Sequence, residues 1–257
     1  MKGPVPVLSR PLMRPRRTRL VLLAVTALAL AAPASAQAFT VYGAASLSSA
    51  FPVIDGAPTY NFAGSNQLQL QIERGAPADL FASASPAEPA ALFREGRCTR
   101  PVTFATNVLV MVTPSNNPAG LRSVYGLRTG RHRLAVGTAG VPIGVYTRQL
   151  LRRMQLTSIL TTNTVSLEPN VNSIIAKVGL GSADAGFSYF TDYLAAKSRL
   201  TQFRLPTWAQ PPVRYQMCVV KRPGADTASA QRFMNRVLST QGRRVLKRFG
   251  FGLTPRG

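Results

Sequence analysis

The sequence is poor in the side chains on which most enzymes and metal centres depend. Its 257 residues include one histidine and two cysteines, and nine acidic residues stand against 31 lysines and arginines. The carboxylates are scattered without the spacing of an acid–base pair, and no Cys/His cluster is available for a metal cation. The single histidine, His132, lies between two arginines, and neither a Ser-His-Asp arrangement nor a phosphate-cradling glycine loop can be drawn. These absences predict a protein that is not an enzyme, needs no cofactor and has no cationic metal site.

The first 36 residues have the pattern of a secretory signal peptide. Four arginines at positions 14–19 precede an apolar run, residues 20–32, that is too short to span a bilayer comfortably, and residues 34–36 read Ala-Ser-Ala, as at a cleavage site. No later segment reaches transmembrane length without charges. We therefore expect a periplasmic protein, exported by the general or the twin-arginine route, or one that is tethered only through an uncleaved leader.

The charge of the chain is strongly one-sided. The leader carries six basic residues and no acidic one, so its cleavage would lower the net charge from +22 to +16. Such a value usually favours binding to nucleic acid or to anionic surfaces. Here the arginines are dispersed and export argues against nucleic acid, so we interpret them as solvated charges that attract anions over a distance.

Two cysteines, Cys98 and Cys218, remain after the leader. An oxidising compartment would allow them to form one disulfide, and two unpaired thiols are a liability outside the cytoplasm. We therefore predict a Cys98–Cys218 disulfide, with two free thiols as the alternative, because sequence separation says nothing about distance in space.

The order of the elements predicts an α/β fold. Short β-branched and aromatic runs alternate with amphipathic helices, which is typical of mostly parallel sheets flanked by helices. The predicted strands are residues 39–45, 59–62, 79–82, 107–112, 134–137, 165–167, 183–189, 202–205 and 214–220, and the chain closes with one helix over residues 227–249.

Two lobes with crossings near residues 107–112 and 214–220 would form a hinged clamshell with a ligand cleft between the lobes. The predicted domains are then the signal peptide 1–36, lobe I from residues 37–110 and 214–257, and lobe II from residues 111–213.

Two of the predicted helix starts carry a serine. The turn Ala63-Gly64-Ser65 opens onto a helix, and Ser46 follows a strand in the same way. The first N–H groups of a helix have no intrahelical acceptor, and a serine hydroxyl beside them adds another donor. Two such starts facing one cleft would bind a small oxyanion without any fixed positive charge. The alternative is that each serine only caps its helix.

Five segments, taken in order, carry a family resemblance: VYGAASL, FAGSNQLQLQIERGAPADLFASA, RLAVGTAGVPIGVYTRQLL, ADAGFSYFTDYL and QGRRVLKRFGF. Over residues 39–252 the chain resembles the periplasmic molybdate-binding proteins, the solute-binding components of molybdate ABC transporters. The resemblance implies a type II periplasmic binding protein. Such a protein works as a monomer, captures molybdate or tungstate between its lobes and delivers the anion to an ABC permease in the inner membrane.

The resemblance also implies which residues hold the oxyanion. In the family, two serine hydroxyls, main-chain N–H groups and one tyrosine hydroxyl surround the ligand. The matching positions are Ser46, Ser65, Ile143, Val171 and Tyr189, of which Ile143 and Val171 would contribute only their N–H groups. Molybdate is thus expected to bind as an oxyanion through these residues, with no cation involved.

The sequence departs from the family pattern at two places. Ile143 replaces the usual small alanine, so its side chain could alter the cavity. The stretch between Ser46 and Ser65 is short, which predicts a truncated first helix. We interpret Asp192, which looks catalytic at first sight, as a cap of the helix that follows Tyr189.

Two other functions stay open. The same fold could bind another anion, such as sulfate, thiosulfate or an organic anion, especially if Ile143 reshapes the cavity. Alternatively, a basic exported protein with a vestigial cleft could bind acidic envelope polymers through its positive surface in a salt-sensitive manner.

Overall fold

The computed structural model describes residues 39–254, together with Met1 and Gly3. The predicted signal peptide, residues 1–36, therefore lies outside the described residues except at those two positions. Residues 39–254 belong to one compact unit. Within the described part of the chain, no helix combines the length and the apolar character that a membrane crossing requires.

Strands and helices alternate through most of the described residues. The strands are β1 (Thr40–Ala44), β2 (Thr59–Ala63), β3 (Leu80–Ser83), β4 (Val102–Asn107), β5 (Leu109–Pro114), β6 (Arg133–Gly137), β7 (Thr164–Glu168), β8 (Ala185–Tyr189), β9 (Leu200–Arg204), β10 (Val213–Val219) and β11 (Gly252–Leu253). The α-helices are α1 (Phe51–Ile54), α2 (Ser65–Glu73), α3 (Ala87–Arg94), α4 (Pro142–Arg153), α5 (Ile159–Thr162), α6 (Val171–Gly179), α7 (Phe190–Ala195), α8 (Thr227–Leu238) and α9 (Thr240–Arg248). Short 3-10 helices lie at Ala45–Leu47, Val124–Thr129 and Thr207–Ala209.

Among residues 39–254 the strands form two sheets, a six-stranded one in the order β11-β4-β10-β3-β1-β2 and a five-stranded one in the order β7-β6-β8-β5-β9. In the first sheet β2, β1, β3 and β4 run in one direction, and β10 and β11 run against them. In the second sheet only β5 is reversed. In each sheet most strands thus point the same way, and each sheet contains both parallel and antiparallel pairs of neighbours.

The two sheets make a two-lobed α/β clamshell, as the sequence predicts. The chain leaves the first sheet after Asn107 and enters the second at Leu109, with only Val108 between, and it returns to the first sheet at Val213. The predicted boundary after residue 110 lies within β5, and the one after residue 213 lies at the start of β10. The exact lobe boundaries stay a prediction.

The end of the chain departs from the prediction. The expected single helix over residues 227–249 is wrong, because it is interrupted at Ser239. Ser239 has extended backbone and its Oγ accepts a hydrogen bond from the N–H of Gly242 at 3.1 Å, so this residue ends α8 and caps α9. A Cβ at Gly242 would lie 2.2 Å from the carbonyl oxygen of Arg236, so only glycine allows this close turn between the helices.

The two cysteines are buried in a small apolar cluster of the first lobe with Leu68, Ile72 and Leu92. Both carry free thiols, so the predicted disulfide is not present in the structure. Cys98 forms a β-bridge with Val220, close to the end of β10, which brings its thiol to that of Cys218. The hydrogen bond with Cys98, followed by burial, raises the pKa of the Cys218 thiol, and a protonated thiol is a poor nucleophile.

One buried ion pair attaches the C-terminal segment to the first sheet. Asp79, directly before β3, accepts hydrogen bonds from Arg222 Nη2 at 2.7 Å and from the backbone N–H groups of Thr40 and Asp226. The Asp79 side chain is 3% exposed. These contacts join β1, β3 and the start of α8, so this aspartate has a structural role.

We predict that Arg222→Met destabilises the protein by about 2–4 kcal/mol, because Asp79 is left as a buried charge without its partner. Chemical denaturation measures the effect. The matched control is Arg236→Met, since Arg236 pairs with Asp55 at 2.7 Å with an arginine side chain that is 55% exposed. Its loss should change the free energy of unfolding by about 0.5 kcal/mol or less. Equal effects of the two substitutions would contradict this prediction.

Candidate functional site

Five residues that were predicted from the sequence line one cavity between the two sheets. They are Ser46, Ser65, Ile143, Val171 and Tyr189. The two serines follow β1 and β2 of the first sheet, whereas the other three follow or end β6, β7 and β8 of the second. In open α/β sheets, ligands bind beyond the carboxyl ends of the strands. The fold therefore places all five predicted residues at one cavity beyond the carboxyl ends of these strands.

Ser65 is the first residue of α2 and does not cap it, because the N-cap is Gly64. Its Oγ accepts a hydrogen bond from the N–H of Ala84 at 3.1 Å. A backbone N–H can only donate, so this bond occupies a lone pair of Oγ and leaves the hydroxyl proton free to point elsewhere. Because Ser65 is 1% exposed, that proton is a buried donor beside the cavity.

Ser46 lies within the 3-10 helix Ala45–Leu47 and makes no capping bond. Its Oγ is 2.8 Å from the hydroxyl oxygen of Tyr215 on β10, and both groups are buried. The alternative that the two serines only cap helices is therefore wrong. Both hydroxyls are instead held by other parts of the first lobe, Ser65 by the residue after β3 and Ser46 by β10.

Tyr189 ends β8, and its ring lies against that of Tyr215, with centroids 6.0 Å apart. The Tyr189 hydroxyl is buried and has no hydrogen-bond partner among the described residues. A buried hydroxyl without a partner is costly, so this group needs an acceptor from outside the chain. Burial raises the pKa of the phenol well above its ordinary value, which keeps it a donor at any physiological pH.

Two helices begin at the cavity and add main-chain donors. Helix α4 starts with Pro142, which has no N–H, so Ile143 provides the first one. In α6 the side chain of Asn170 caps the helix by accepting a hydrogen bond from the N–H of Ser173 at 3.1 Å. The N–H of Val171, the first residue of this helix, is not used by that cap. The first N–H groups of a helix lack intrahelical acceptors and carry partial positive charge.

The cavity is small and its lining is uncharged. The other lining residues are Ala44, Ala45, Ala63, Gly64, Ala84, Val141, Pro142 and Asn170. The space open to the centre of a water-sized sphere is only about 10 Å³. Among the described residues, no group of acidic, histidine or cysteine side chains could hold a metal ion. The site therefore suits one small anion that binds through hydrogen bonds rather than ion pairs.

The two lobes touch beside the cavity. A Cβ at Gly64, ahead of α2 in the first lobe, would lie 2.4 Å from the carbonyl oxygen of Pro169 in the second. The side chain of Asn172 on α6 donates a hydrogen bond to the carbonyl oxygen of Ala45 at 3.3 Å. These contacts hold the lobes close enough for donors of both to face the same small space.

Both departures from the family pattern can be placed. The Ile143 side chain is 1% exposed, and its Cγ2 lies against Gly137 at the end of β6, so its bulk is accommodated in the second lobe. The truncated first helix is confirmed, since α1 spans four residues, Phe51–Ile54. Ser46 still reaches the cavity lining because it lies in the 3-10 turn before α1.

Asp192 lies in the first turn of α7, whose N-cap is Tyr189. Burial raises the pKa of this carboxyl to about 8. Hydrogen bonds from the backbone N–H groups of Tyr189 and Asp192 lower the pKa, but burial has the larger effect. Its Oδ2 has no hydrogen-bond partner among the described residues, and Arg199 lines the neighbouring cavity. His132 lies outside the lining of the candidate site, and its backbone N–H donates to Asn163.

Three residues of the site were missed from the sequence: Tyr215, Asn107 and Gly64. Tyr215 and Asn107 carry no local signal, because they reach Ser46 only through the pairing of β10 with β3 and β4. Gly64 stands in a recognisable turn, but the closeness of Pro169 depends on the other lobe.

The comparisons with known proteins agree with the fold. A family model described as "Bacterial extracellular solute-binding protein" matches residues 57–252. The chain is 36% identical over 226 residues to the molybdate-binding protein ModA of Mycobacterium tuberculosis. The aligned region covers 84% of this chain and 85% of that protein.

Two solved structures show the same fold. The periplasmic molybdate-binding protein of Azotobacter vinelandii superposes with a TM-score of 0.73 at 23% identity, over 84% of this chain and 100% of that chain. The sulfate-binding protein SubI of Mycobacterium tuberculosis gives 0.70 at 16% identity, over 83% and 85%. Proteins named for different anions thus share this fold, and the ligand has to be argued from the site.

The raised pKa of Asp192 predicts a pH dependence of stability. A carboxyl that titrates near pH 4 in the unfolded chain and near pH 8 in the folded protein holds its proton more tightly when folded, so stability falls as the pH rises between these values. Asp192→Asn cannot ionise. We expect that its free energy of unfolding, relative to that of the wild type, increases as the pH rises from 5 to 9. Chemical denaturation measures this difference.

The control for this experiment is Asp184→Asn. Although burial opposes it, the hydrogen bonds and charge of Arg133 lower the pKa of Asp184, so the stabilising effect is present at neutral pH and lost as the pH falls. Between pH 5 and pH 9 the difference between Asp184→Asn and the wild type should therefore stay constant, because this carboxyl titrates below its ordinary pKa of about 4. A pH-independent difference for Asp192→Asn would contradict the account of this carboxyl.

Proposed function

Because the chain belongs to the bacterial extracellular solute-binding protein family, we propose that it captures molybdate, or tungstate, and delivers it to an ABC permease. The observation that carries this proposal is the uncharged cavity bordered by the hydroxyls of Ser46, Ser65 and Tyr189 and by the starts of α4 and α6. The similarity to a protein named for molybdate binding supports the choice of anion.

The chemistry of the donors matches that of the anion. Molybdate and tungstate are fully deprotonated dianions at neutral pH, so their oxygens only accept hydrogen bonds. Monohydrogen phosphate carries one P–OH that needs an acceptor, but no carboxylate lines the cavity, and Ala84 already occupies one lone pair of the Ser65 Oγ. A buried donor without an acceptor costs about 1–3 kcal/mol, which is a rejection of about 5- to 150-fold.

Sulfate is also deprotonated, so donors alone do not reject it. The sulfur–oxygen bonds of sulfate are shorter than the metal–oxygen bonds of molybdate and tungstate. Hydrogen bonds from donors spaced for molybdate would therefore be stretched and weakened with sulfate. The small cavity also argues against organic anions, which need more space than an oxyanion.

Closure of the cleft is the step that makes neutral donors sufficient. When Gly64 meets Pro169 and Asn172 meets Ala45, water is excluded and every hydrogen bond to the anion acts in a medium of low dielectric constant. The hinge would lie where the chain crosses between the sheets, near Val108 and before Val213.

The remaining elements of the proposal concern where the protein works. Residues 1–36 direct export, and the mature chain acts in the periplasm as a monomer whose lobe I is residues 37–110 and 214–257 and whose lobe II is residues 111–213. Its net charge of +16 raises the local concentration of anions. It performs no catalysis and needs no cofactor.

Sulfate binding is the second candidate function, and the fold similarity to SubI favours it. The two candidates differ in the order of affinities, which a titration measures directly.

We predict that residues 37–257 bind molybdate and tungstate one to one in calorimetric titrations at moderate salt, with sulfate and phosphate at least about tenfold weaker. Ser65→Ala should weaken molybdate binding by about 10- to 100-fold, the effect of losing a hydrogen bond to a charged group. Ser49→Ala, an exposed serine near Ser46, is the matched control and should bind as the wild type does.

The other outcomes of this titration are informative. Preference for sulfate would replace molybdate with the second candidate. Absence of heat with every small anion, together with salt-sensitive retention on an acidic polymer, would favour the envelope-binding function and reject the cleft as an oxyanion site.

We also predict that Gly64→Ala weakens molybdate binding by at least about tenfold while changing the free energy of unfolding by about 1 kcal/mol or less. The added methyl would meet the Pro169 carbonyl oxygen at 2.4 Å and hold the lobes apart, whereas within the first lobe it would meet only the ends of the Asn66 and Gln67 side chains, at 3.0 Å and 3.4 Å. Gly56→Ala is the control, because its Cβ would be 3.7 Å from the nearest atom. Unchanged affinity in Gly64→Ala would show that binding does not need this contact.

A further inference from the structure

A chain of three buried polar side chains leads away from the cavity behind Ser46. The Ser46 Oγ lies 2.8 Å from the hydroxyl oxygen of Tyr215, and that oxygen lies 3.4 Å from Nδ2 of Asn107. Tyr215 is 0% exposed, and the other two residues are each 6% exposed. Distances alone do not say whether Ser46 donates to Tyr215 or accepts from it, and the answer decides what Ser46 can offer a ligand.

The direction is set at the far end of the chain, by the amide of Asn107. Its Oδ1 accepts a hydrogen bond from the N–H of Val108 at 2.9 Å. Turning the amide over would place two donors, the NH₂ group and this N–H, against each other. The NH₂ group must therefore face the other way, where it donates to Thr191 Oγ1 at 2.9 Å and to Tyr215.

Tyr215 can then place its own proton in only one way. Its oxygen accepts from Asn107, and rings of Phe104, Tyr189 and Phe251 surround its own ring. Among the described residues, the hydrogen-bond partners of its hydroxyl are Asn107 and Ser46. A buried phenol proton without an acceptor is costly, so the proton goes to Ser46 Oγ. Ser46 is left with its own proton directed away from Tyr215.

We infer that Tyr215 and Asn107 are positioning residues that keep the Ser46 proton free to donate to the ligand, and that they thereby favour fully deprotonated oxyanions over protonated ones. The inference rests on the proposed function and deepens it. Ser65 has the same arrangement with a different partner, since Ala84 N–H occupies its oxygen. Both serines thus have one lone pair occupied by the protein and a proton that is free to donate to an anion.

The first test is Tyr215→Phe, which removes the hydroxyl and keeps the ring. Ser46 is then free to rotate and to accept, so molybdate affinity should fall about tenfold, whereas phosphate affinity should fall less or rise. The molybdate-to-phosphate affinity ratio is the readout, because a merely structural change would weaken both anions alike. Tyr60→Phe is the matched control: the Tyr60 hydroxyl donates to the carbonyl of Asp55, away from the cavity, and its loss should leave the ratio unchanged.

A double-mutant cycle with Ser46→Ala tests whether Tyr215 acts through Ser46. In the Ser46→Ala background, Tyr215→Phe should have no further effect on the ratio. An equal effect in both backgrounds, or a ratio in Tyr215→Phe equal to that of the wild type, overturns the inference even if molybdate binding itself is established.

Neutron diffraction from deuterated protein decides the hydrogen-bond direction without any ligand. A deuteron on the Tyr215 oxygen pointing at Ser46 Oγ, with the Asn107 ND₂ group pointing at Tyr215, supports the inference. A deuteron on Ser46 pointing at Tyr215 overturns it. If the wild type binds none of the anions tested, the proposed function fails, and the neutron result still decides the orientation of Ser46.

Discussion

A hydroxyl whose oxygen accepts a hydrogen bond from the protein keeps its own proton for a ligand, and the site depends on this constraint. Ala84 N–H imposes it on Ser65, and the Asn107–Tyr215 chain imposes it on Ser46. Tyr189 meets the same condition differently, through a buried phenol that has no protein partner among the described residues. Recognition of an anion then needs no arginine or lysine, although the chain holds 31 of them. Because those charges lie outside the cavity, the site can distinguish anions by their protonation state and their size.

The fold provides this arrangement by placing donors at the carboxyl ends of strands in two separate sheets. Each sheet supplies part of the shell, so the shell is complete only when the lobes meet. Small residues make the meeting possible, Gly64 against Pro169 above all, and a glycine at the end of β6 makes room for the Ile143 side chain. The C-terminal segment returns to the first sheet to supply β10, and with it Tyr215. The anchor between Asp79 and Arg222 therefore stabilises an element that the site needs.

Much of the fold could be predicted from the sequence, because strand and helix periods alternate clearly from β1 to α3 and Gly75 ends α2 at a φ of 87°. The five lining residues were found through the family motifs, since backbone donors such as Ile143 and Val171 leave no side-chain signal. Strand β4 was missed because its residues, VTFATN, mix polar and apolar types, and the break at Ser239 was missed because the amphipathic pattern continues across it. Tyr215, Asn107 and the state of the two thiols depend on which strands become neighbours, and local patterns do not contain that information.

The measurement that tests the central claim most directly is a crystal structure of residues 37–257 with molybdate bound. The account predicts a tetrahedral oxyanion in the cavity, with its oxygens about 2.7–3.2 Å from Ser46 Oγ, Ser65 Oγ, the Tyr189 hydroxyl and the N–H groups of Ile143 and Val171. No lysine, arginine or cation should contact it. An anion held by surface arginines, or one in the cleft whose charge is balanced by a cation or a basic side chain, would contradict the claim that oriented neutral donors recognise the ligand.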